Sequence, residues 1–368
     1  MGGFVSLSAI DIALWLTAVA VLSALLTAGA LLYSRRRLID LPGQRRSHSL
    51  PTPRGGGIGL CIAGVAGFIA MSALISDVTL PTRLIVAIAL IALVGWIDDH
   101  RPLPISARLI PQFIAMLLFL WPFVAQSIAQ YTDANIETSS FVQNILLLIL
   151  FIGLGIWSIN LHNFMDGIDG ILAAQAIFVL SVLGWLCGHD QRNPHGMEIG
   201  LFAAATLGFL PFNFPRARIF MGDVGSGTLG LLIFVAAMWQ FASPYSANLS
   251  AIVVGSAFIT DATCTLVSRM IRGRRWYAPH REHLYQWMTR TGLTHARVAD
   301  CYAAWNLFVV LPIIDLLNVP AVRIDRTASW IVAIALYIVA TVVWICGKRW
   351  CLYKVKFSRT SRTDHANA

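Results

Sequence analysis

Residues 141–161 read FVQNILLLILFIGLGIWSINL. The run holds no charged residue, and crossing the hydrocarbon core of a bilayer takes about 20 apolar residues in a helix. Its end merges with Asn160-Leu-His162-Asn163-Phe-Met-Asp166-Gly167-Ile-Asp169-Gly170. Spanning length followed at once by oxygen donors defines both the fold and the place to look for chemistry. In lipid a spanning backbone must satisfy its own hydrogen bonds, so the run is a helix.

Ten further apolar segments follow the same logic, at roughly 9–33, 58–76, 84–97, 107–125, 170–187, 197–212, 226–243, 248–267, 302–317 and 328–346. The chain has 368 residues, 57% of them hydrophobic and 12% charged, against about a quarter charged in soluble domains. Its mean hydropathy is +0.70. The expectation is an all-α polytopic membrane protein of about 11 transmembrane helices. Residues 1–347 form one membrane domain, and 348–368 form a basic tail, disordered from Ser358.

Lys and Arg set the orientation. With the N-terminus outside, the inside loops are 34–57, 98–106, 162–169, 213–225 and 268–301, plus the tail from 347. Of the 27 basic residues only Arg83, Arg192, Arg323 and Arg326 then fall outside. The N-terminus is periplasmic on this reading and the C-terminus cytoplasmic. The net charge of +9 follows from this bias without a nucleic-acid partner, and a basic cytoplasmic face suits anionic lipid heads and phosphorylated substrates. The first segment lacks a basic start and precedes Arg35-Arg36-Arg37, which reads as a span with a stop rather than a cleaved leader. The six cysteines include no CxxC pair, which argues against a zinc site or a disulfide framework.

Five polar motifs share the inside face. Asp40-Leu-Pro-Gly-Gln-Arg45-Arg46-Ser-His48-Ser-Leu-Pro-Thr-Pro-Arg54-Gly55-Gly56-Gly57 combines arginines with glycines whose free N–H groups would cradle phosphate. Asp98-Asp99 closes the third segment. As neighbours on a helix they point about 100° apart, which suits different tasks. Asn160, Asn163 and Asp166 are spaced to share roughly one helix face, and oxygen donors without Cys or clustered His suit a hard cation such as magnesium. Asn213-Phe-Pro-Arg-Ala-Arg218-Ile-Phe-Met-Gly222-Asp223-Val-Gly225-Ser-Gly227 sets one acid among glycines, as a loop does to present a carboxylate to a metal bound to phosphates. Pro279-His280-Arg281-Glu282-His283-Leu284-Tyr285-Gln286 places His and Arg where a diphosphate could be held.

These motifs, in this order from residue 40 to 286, resemble the bacterial polyprenyl-phosphate N-acetylhexosamine-1-phosphate transferases, the superfamily that starts O-antigen and peptidoglycan lipid intermediates. One departure stands out. Other branches carry a His-x-His-His triplet or three adjacent histidines where this chain has His283-Leu284-Tyr285-Gln286, so only His283 is matched. That form is similar to the O-antigen-initiating branch, and the PTPRGGG loop is unlike the peptidoglycan branch. The resemblance implies transfer of N-acetylhexosamine-1-phosphate from UDP-N-acetylhexosamine to undecaprenyl phosphate, with release of UMP, at a bacterial inner membrane. It implies Mg2+, or Mn2+ in its place, held by Asp223 and Asn163. Asp98, Asp99, Asp223 and His283 are the catalytic candidates. Arg45, His48, Arg54, Asn160, Asp166, Asp169, Asn213 and Arg281 are the substrate-binding candidates. Membrane lipids are expected partners, and a homodimer is compatible with this reading.

Two other readings use the same residues. An intramembrane prenyltransferase also binds magnesium diphosphate, but it needs a second Asp-rich motif that Asp98-Asp99-His100-Arg101 does not supply. A polyprenyl-lipid transporter would place charges near the bilayer midplane, where Asp261 is the one clear candidate.

Overall fold

The computed structural model describes residues 8–41, 50–74, 82–132, 138–189, 195–242, 249–275, 280–318 and 326–366. The chain begins with α1 (Ala9–Arg37), a short ribbon of β1 (Ile39–Asp40) and β2 (Thr52–Pro53), then α2 (Gly57–Leu74), α3 (Thr82–His100) and α4 (Ile105–Thr132). It continues through α5 (Thr138–Met165), α6 (Ile171–His189), α7 (Gly196–Asn213), α8 (Asp223–Ala242), α9 (Ser250–Val254) and α10 (Ser256–Ile271). The short α11 (Leu284–Arg290) precedes α12 (His295–Trp305), a π-helical stretch (Asn306–Val310), α13 (Leu311–Asn318) and α14 (Arg326–Ala366).

Each expected apolar segment coincides with helix. By length and composition, seven helices among the described residues can cross a membrane: Ala9–Arg37, Ile105–Ala125, Val142–Met165, Ile171–Gly188, Asp223–Phe241, His295–Asn318 and Thr327–Phe357. The chain is therefore a multi-pass membrane protein. Among the remaining segments, Gly57–Ala73 is an apolar helix of shorter length, and two others are interrupted. Arg83, Asp98 and Asp99 lie within α3, and Gly255 separates α9 from α10.

Helix ends follow local chemistry. Ser8 caps α1 by accepting the Asp11 N–H at 3.2 Å, while Asp11 accepts the Ser8 N–H at 3.0 Å, which satisfies donors that a helix start leaves open. Arg35, Arg36 and Arg37 occupy the last turn, where cations favour the negative end of the helix dipole. Helix α14 runs on to Ala366. Residues 347–366 hold no proline and only one glycine, so extending an existing helix costs far less than starting one.

The core is built around α8. Buried residues make up 78% of its apolar stretch and 11% of that of α1. Helices α2, α3, α5 and α6 pack around α8, and α1 lies on α2 and α7. The outer face of α14 shows Ile331, Ile334, Ile338, Val342 and Val343 to the surroundings, which suits lipid.

The ribbon was not expected from sequence. It pairs Ile39 with Pro53 and Asp40 with Thr52, and it ties the first polar loop to the 220–221 turn. Phe220 donates its N–H to Pro53 O, Gly56 donates to Phe220 O and Gly57 donates to Met221 O. These glycine N–H groups are thus spent inside the protein, which corrects their reading as a phosphate cradle. Their residues serve close packing of α2 on the start of α8.

Candidate active site

The ends of α1, α3, α5 and α7 meet the starts of α2, α6 and α8, and their polar ends enclose a cavity of about 250 Å3. Arg54, Asp99, Asn163, Asp166, Asp169, Asn213 and Asp223 all border it. Motifs separated by up to 169 positions in sequence therefore share one space.

Asp99 is the anchor of this space. Its side chain is fully buried, and Arg54 donates Nε–H at 3.0 Å and Nη2–H at 2.6 Å to Asp99 Oδ1. The N–H groups of Asp223 and Val224 also donate to the Asp99 carboxylate, at 3.0 and 3.3 Å. One acid thus fixes both the arginine and the N-terminal turn of α8, where the helix dipole favours negative charge. Two glycines make this approach feasible. A Cβ on Gly95 would lie 2.5 Å from Val224 N, and one on Gly222, whose φ is +77°, would lie 2.4 Å from Asp99 Oδ2. A left-handed φ of that size is cheap only for glycine.

Asp98 faces elsewhere, as the 100° rule requires. It accepts the Leu103 N–H and lies 3.6 Å from Arg108 Nη1, which is also 3.9 Å from Asp223 Oδ2. Arg108 thus joins the two acids.

Asn163 donates Nδ2–H to Ser226 Oγ at 3.2 Å, which orients its amide beside Asp223. Burial, reinforced by the Asp99 and Asp169 carboxylates, pushes the Asp166 carboxyl up to about 7. Asp169 Oδ2 lies 3.2 Å from His295 Nδ1, a partner that sequence reading missed. Both open on an adjoining cavity of about 590 Å3 bordered by Arg35, Arg216 and Arg218.

Several expected site residues sit differently. Asn213 borders the cavity, but its amide is used as a brace: Oδ1 accepts the Gly170 N–H at 2.9 Å and Nδ2 donates to Ile219 O at 3.0 Å. Asn160 does not share a face with Asn163 and Asp166. Its Nδ2 donates to Gln112 Oε1 and Ile156 O, and α5 ends at Met165, before Asp166. Six residues on a 3.6-residue repeat also drift by about 120°. Arg281 and His283 lie outside the cavity. His283 is buried, with Nδ1 3.9 Å from Asp261 Oδ1, and Arg281 borders a separate basic cavity. Arg45 and His48 lie outside the described residues.

From that segment it is Gln286 that reaches the first cavity. It gets there because Asp261 holds α11 in place. Asp261 accepts the N–H groups of Leu284 and Tyr285 at 2.8 and 3.4 Å, Tyr302 Oη–H at 2.6 Å and Trp344 Nε1–H at 2.9 Å. The intramembrane acid that could have marked a transporter is a structural fastener. Tyr285 then donates to Phe164 O at 2.9 Å, which locks α11 against the Asp166 turn.

Comparison with known proteins identifies the family of the chain. The sequence profile of glycosyl transferase family 4 matches residues 82–240, which carry Asp98, Asp99, Asn163, Asp166, Asp169, Asn213 and Asp223. The decaprenyl-phosphate N-acetylglucosaminephosphotransferase of Mycobacterium leprae is 31% identical over 307 residues, 74% of this chain and 75% of that protein. The chain belongs to glycosyl transferase family 4. It is accordingly an enzyme, a sugar-phosphate transferase. The probable undecaprenyl-phosphate N-acetylglucosaminyl 1-phosphate transferase of Bacillus subtilis is 24% identical to this family 4 member, over 87% of the chain and 86% of the relative. The phospho-N-acetylmuramoyl-pentapeptide-transferase of Saccharopolyspora erythraea is 27% identical, over 60% and 70%.

Proposed function

We propose that this family 4 transferase moves N-acetylhexosamine-1-phosphate from a UDP-sugar to undecaprenyl phosphate and so begins an O-antigen or related envelope polysaccharide. An oxygen of the lipid phosphate attacks the phosphorus that bears the sugar. The P–O bond to UMP breaks, and UMP leaves with that electron pair. The observation that carries the reading is the convergence of Arg54, Asn163, Asp166, Asp169 and Asp223 on one cavity at the helix ends. The names of the M. leprae and B. subtilis relatives supply the acceptor class and the amino-sugar.

Charge grows on phosphate oxygens in such a transfer, so positioning and electrostatics do most of the work. Arg54 is held rigid by Asp99 and offers its remaining N–H groups to the diphosphate. Asp98, set by the Leu103 N–H and Arg108, orients the incoming lipid phosphate. Asp169 with His295, beside Arg35, Arg216 and Arg218, would take the nucleotide side in the larger adjoining cavity.

The donor set fits Mg2+, with Mn2+ as the alternative. Among the described residues no three His, Cys, Asp or Glu side chains form a ready metal cluster. Mg2+ is usually held by one or two carboxylates, with substrate phosphates and water completing its shell. Asp223 and the Asn163 amide would hold it. When bound it would supply Lewis-acid stabilisation of the charge that builds on the phosphate oxygens.

The charge pattern supports eleven crossings, a periplasmic N-terminus and a site on the cytoplasmic side of an inner membrane. The test uses purified full-length protein, a panel of UDP-N-acetylhexosamines, undecaprenyl or decaprenyl phosphate, and Mg2+. UMP release that needs both lipid and metal is the expected result. Release of pyrophosphate, or no UMP with any sugar, would reject the reading.

A further inference from the structure

A second cavity, of about 510 Å3, lies on the other side of α11, between the end of α10 and α14. Arg269, Arg272, Arg274, Arg281, Arg290 and Lys348 border it, against one acid, Glu282. Glu282 is already shared, since both Arg269 and Arg274 donate to its Oε1. Cations thus outnumber acids among the residues that border the cavity.

Lys348 is the informative member. It is 6% exposed, and its Nζ has no hydrogen-bond acceptor among the described residues. The Trp344 ring lies 4.3 Å from the ammonium, and the Asp261 and Glu282 carboxylates act on it without a direct hydrogen bond. His280 Nδ1 and Trp287 Nε1 border the same space, buried and likewise without a hydrogen-bond partner. A buried ammonium without a hydrogen-bond acceptor is costly, and buried polar groups of native proteins are almost always satisfied. Three orphaned nitrogens around one cationic cavity call for an anion with several acceptor oxygens.

The surroundings narrow its chemistry. Leu352 borders the cavity, and Trp350 and Tyr353 are exposed beside it, at the point where α14 leaves its apolar run. Aromatic residues in that position mark the headgroup level of a bilayer. Ile271, at the end of α10, is 81% exposed, so the rim continues into lipid-facing surface. We infer that this basic cavity is a second anion site that takes a phosphate group, carried either by an anionic lipid headgroup or by a soluble phosphate compound. Its occupant also touches the active site indirectly. Trp287 borders the basic cavity and the adjacent Gln286 borders the catalytic one, so filling the site steadies α11.

The test uses full-length protein in detergent, with EDTA present so that metal-dependent phosphate binding in the first cavity does not contribute. Native mass spectrometry compares retention of phosphatidylglycerol and phosphatidylcholine. A thermal-shift series uses inorganic phosphate. Wild type, Lys348→Gln and Arg272→Ala are run together, with Asp223→Asn as a control for the catalytic cavity. The expected result is selective retention of phosphatidylglycerol that falls about tenfold in Lys348→Gln and less in Arg272→Ala, with Asp223→Asn unchanged. A stabilising shift by inorganic phosphate that Lys348→Gln abolishes, without lipid selectivity, assigns the site to a soluble phosphate. The inference is overturned if wild type shows neither effect, or if Lys348→Gln and Arg272→Ala, both folded, bind as wild type does. None of these readouts depends on turnover of a UDP-sugar, so their failure would leave the proposed reaction standing.

Discussion

The two cavities flanking α11 have opposite charge. The catalytic one is bordered by Asp40, Asp99, Asp166, Asp169 and Asp223 with Arg54 as its arginine. The other is bordered by six cationic side chains and Glu282. A phosphate can enter the second directly, whereas in the first it meets carboxylates and needs a cation between. On the proposed reading, the contrast separates a place suited to metal-assisted chemistry on phosphates from a place suited only to holding one. It also explains why a run of basic residues is a poor guide to a phosphoryl-transfer centre.

The largest expected effect tests the acidic side of that contrast. Asp223→Asn should lower the rate of UMP release by about 100- to 1,000-fold, the usual consequence of removing one key electrostatic group, and leave lipid retention by the basic cavity unchanged. A steady-state assay beside native mass spectrometry checks both halves. Next comes the anchor. Asp99→Ala strands Arg54, and Arg54→Ala strands a fully buried carboxylate, a loss of about 3–5 kcal/mol when one partner of a buried pair goes. Because the two act as a unit, the double variant should be little worse than either single one. A double-mutant cycle on thermal stability measures that coupling.

These residues also show how far sequence could lead. Asp223 was legible because glycines surround it at the start of an apolar run, and the helices were legible because lipid permits little else. The partition of His280–Trp287 between two cavities was not. Adjacent residues on α11 point to opposite sides, and the direction of α11 is set by Asp261, a lone acid 23 positions before Leu284. Its presence in an apolar helix was the available signal, although it indicated a function, not a fastener. Arg108 and His295 gave no local pattern, since their importance lies wholly in contacts with Asp98, Asp223 and Asp169. The PTPRGGG loop misled because its glycines looked free to bind phosphate, yet the 220–221 carbonyls take those N–H groups.

A middle-sized effect is expected at Gly222. Gly222→Ala puts a Cβ 2.4 Å from Asp99 Oδ2 at a φ of +77°. It should lower activity by at least tenfold with the protein still folded, because the turn that sets Asp223 must shift. Measured kcat and melting temperature together decide this.

The smallest effect concerns pH. Asp166 has its carboxyl pushed up to about 7, so the folded chain holds that proton more tightly than the unfolded one. Stability from this group is then present below about pH 4 and falls as pH rises toward 7. Asp166→Asn should therefore melt higher than wild type at pH 8, with the difference shrinking to nothing near pH 4. A difference of the opposite sign would remove Asp166 from the crowded acidic cavity.

The most direct measurement follows the two phosphorus atoms of the donor. UDP-N-acetylglucosamine labelled on the phosphorus next to the sugar is incubated with the protein, undecaprenyl phosphate and Mg2+, and lipid and water phases are separated. A parallel reaction carries the label on the uridine-linked phosphorus. The account predicts that the first label moves into the lipid phase and the second stays in water as UMP. Both labels staying together in water as UDP, while sugar enters the lipid, would mean ordinary glycosyl transfer and would contradict it.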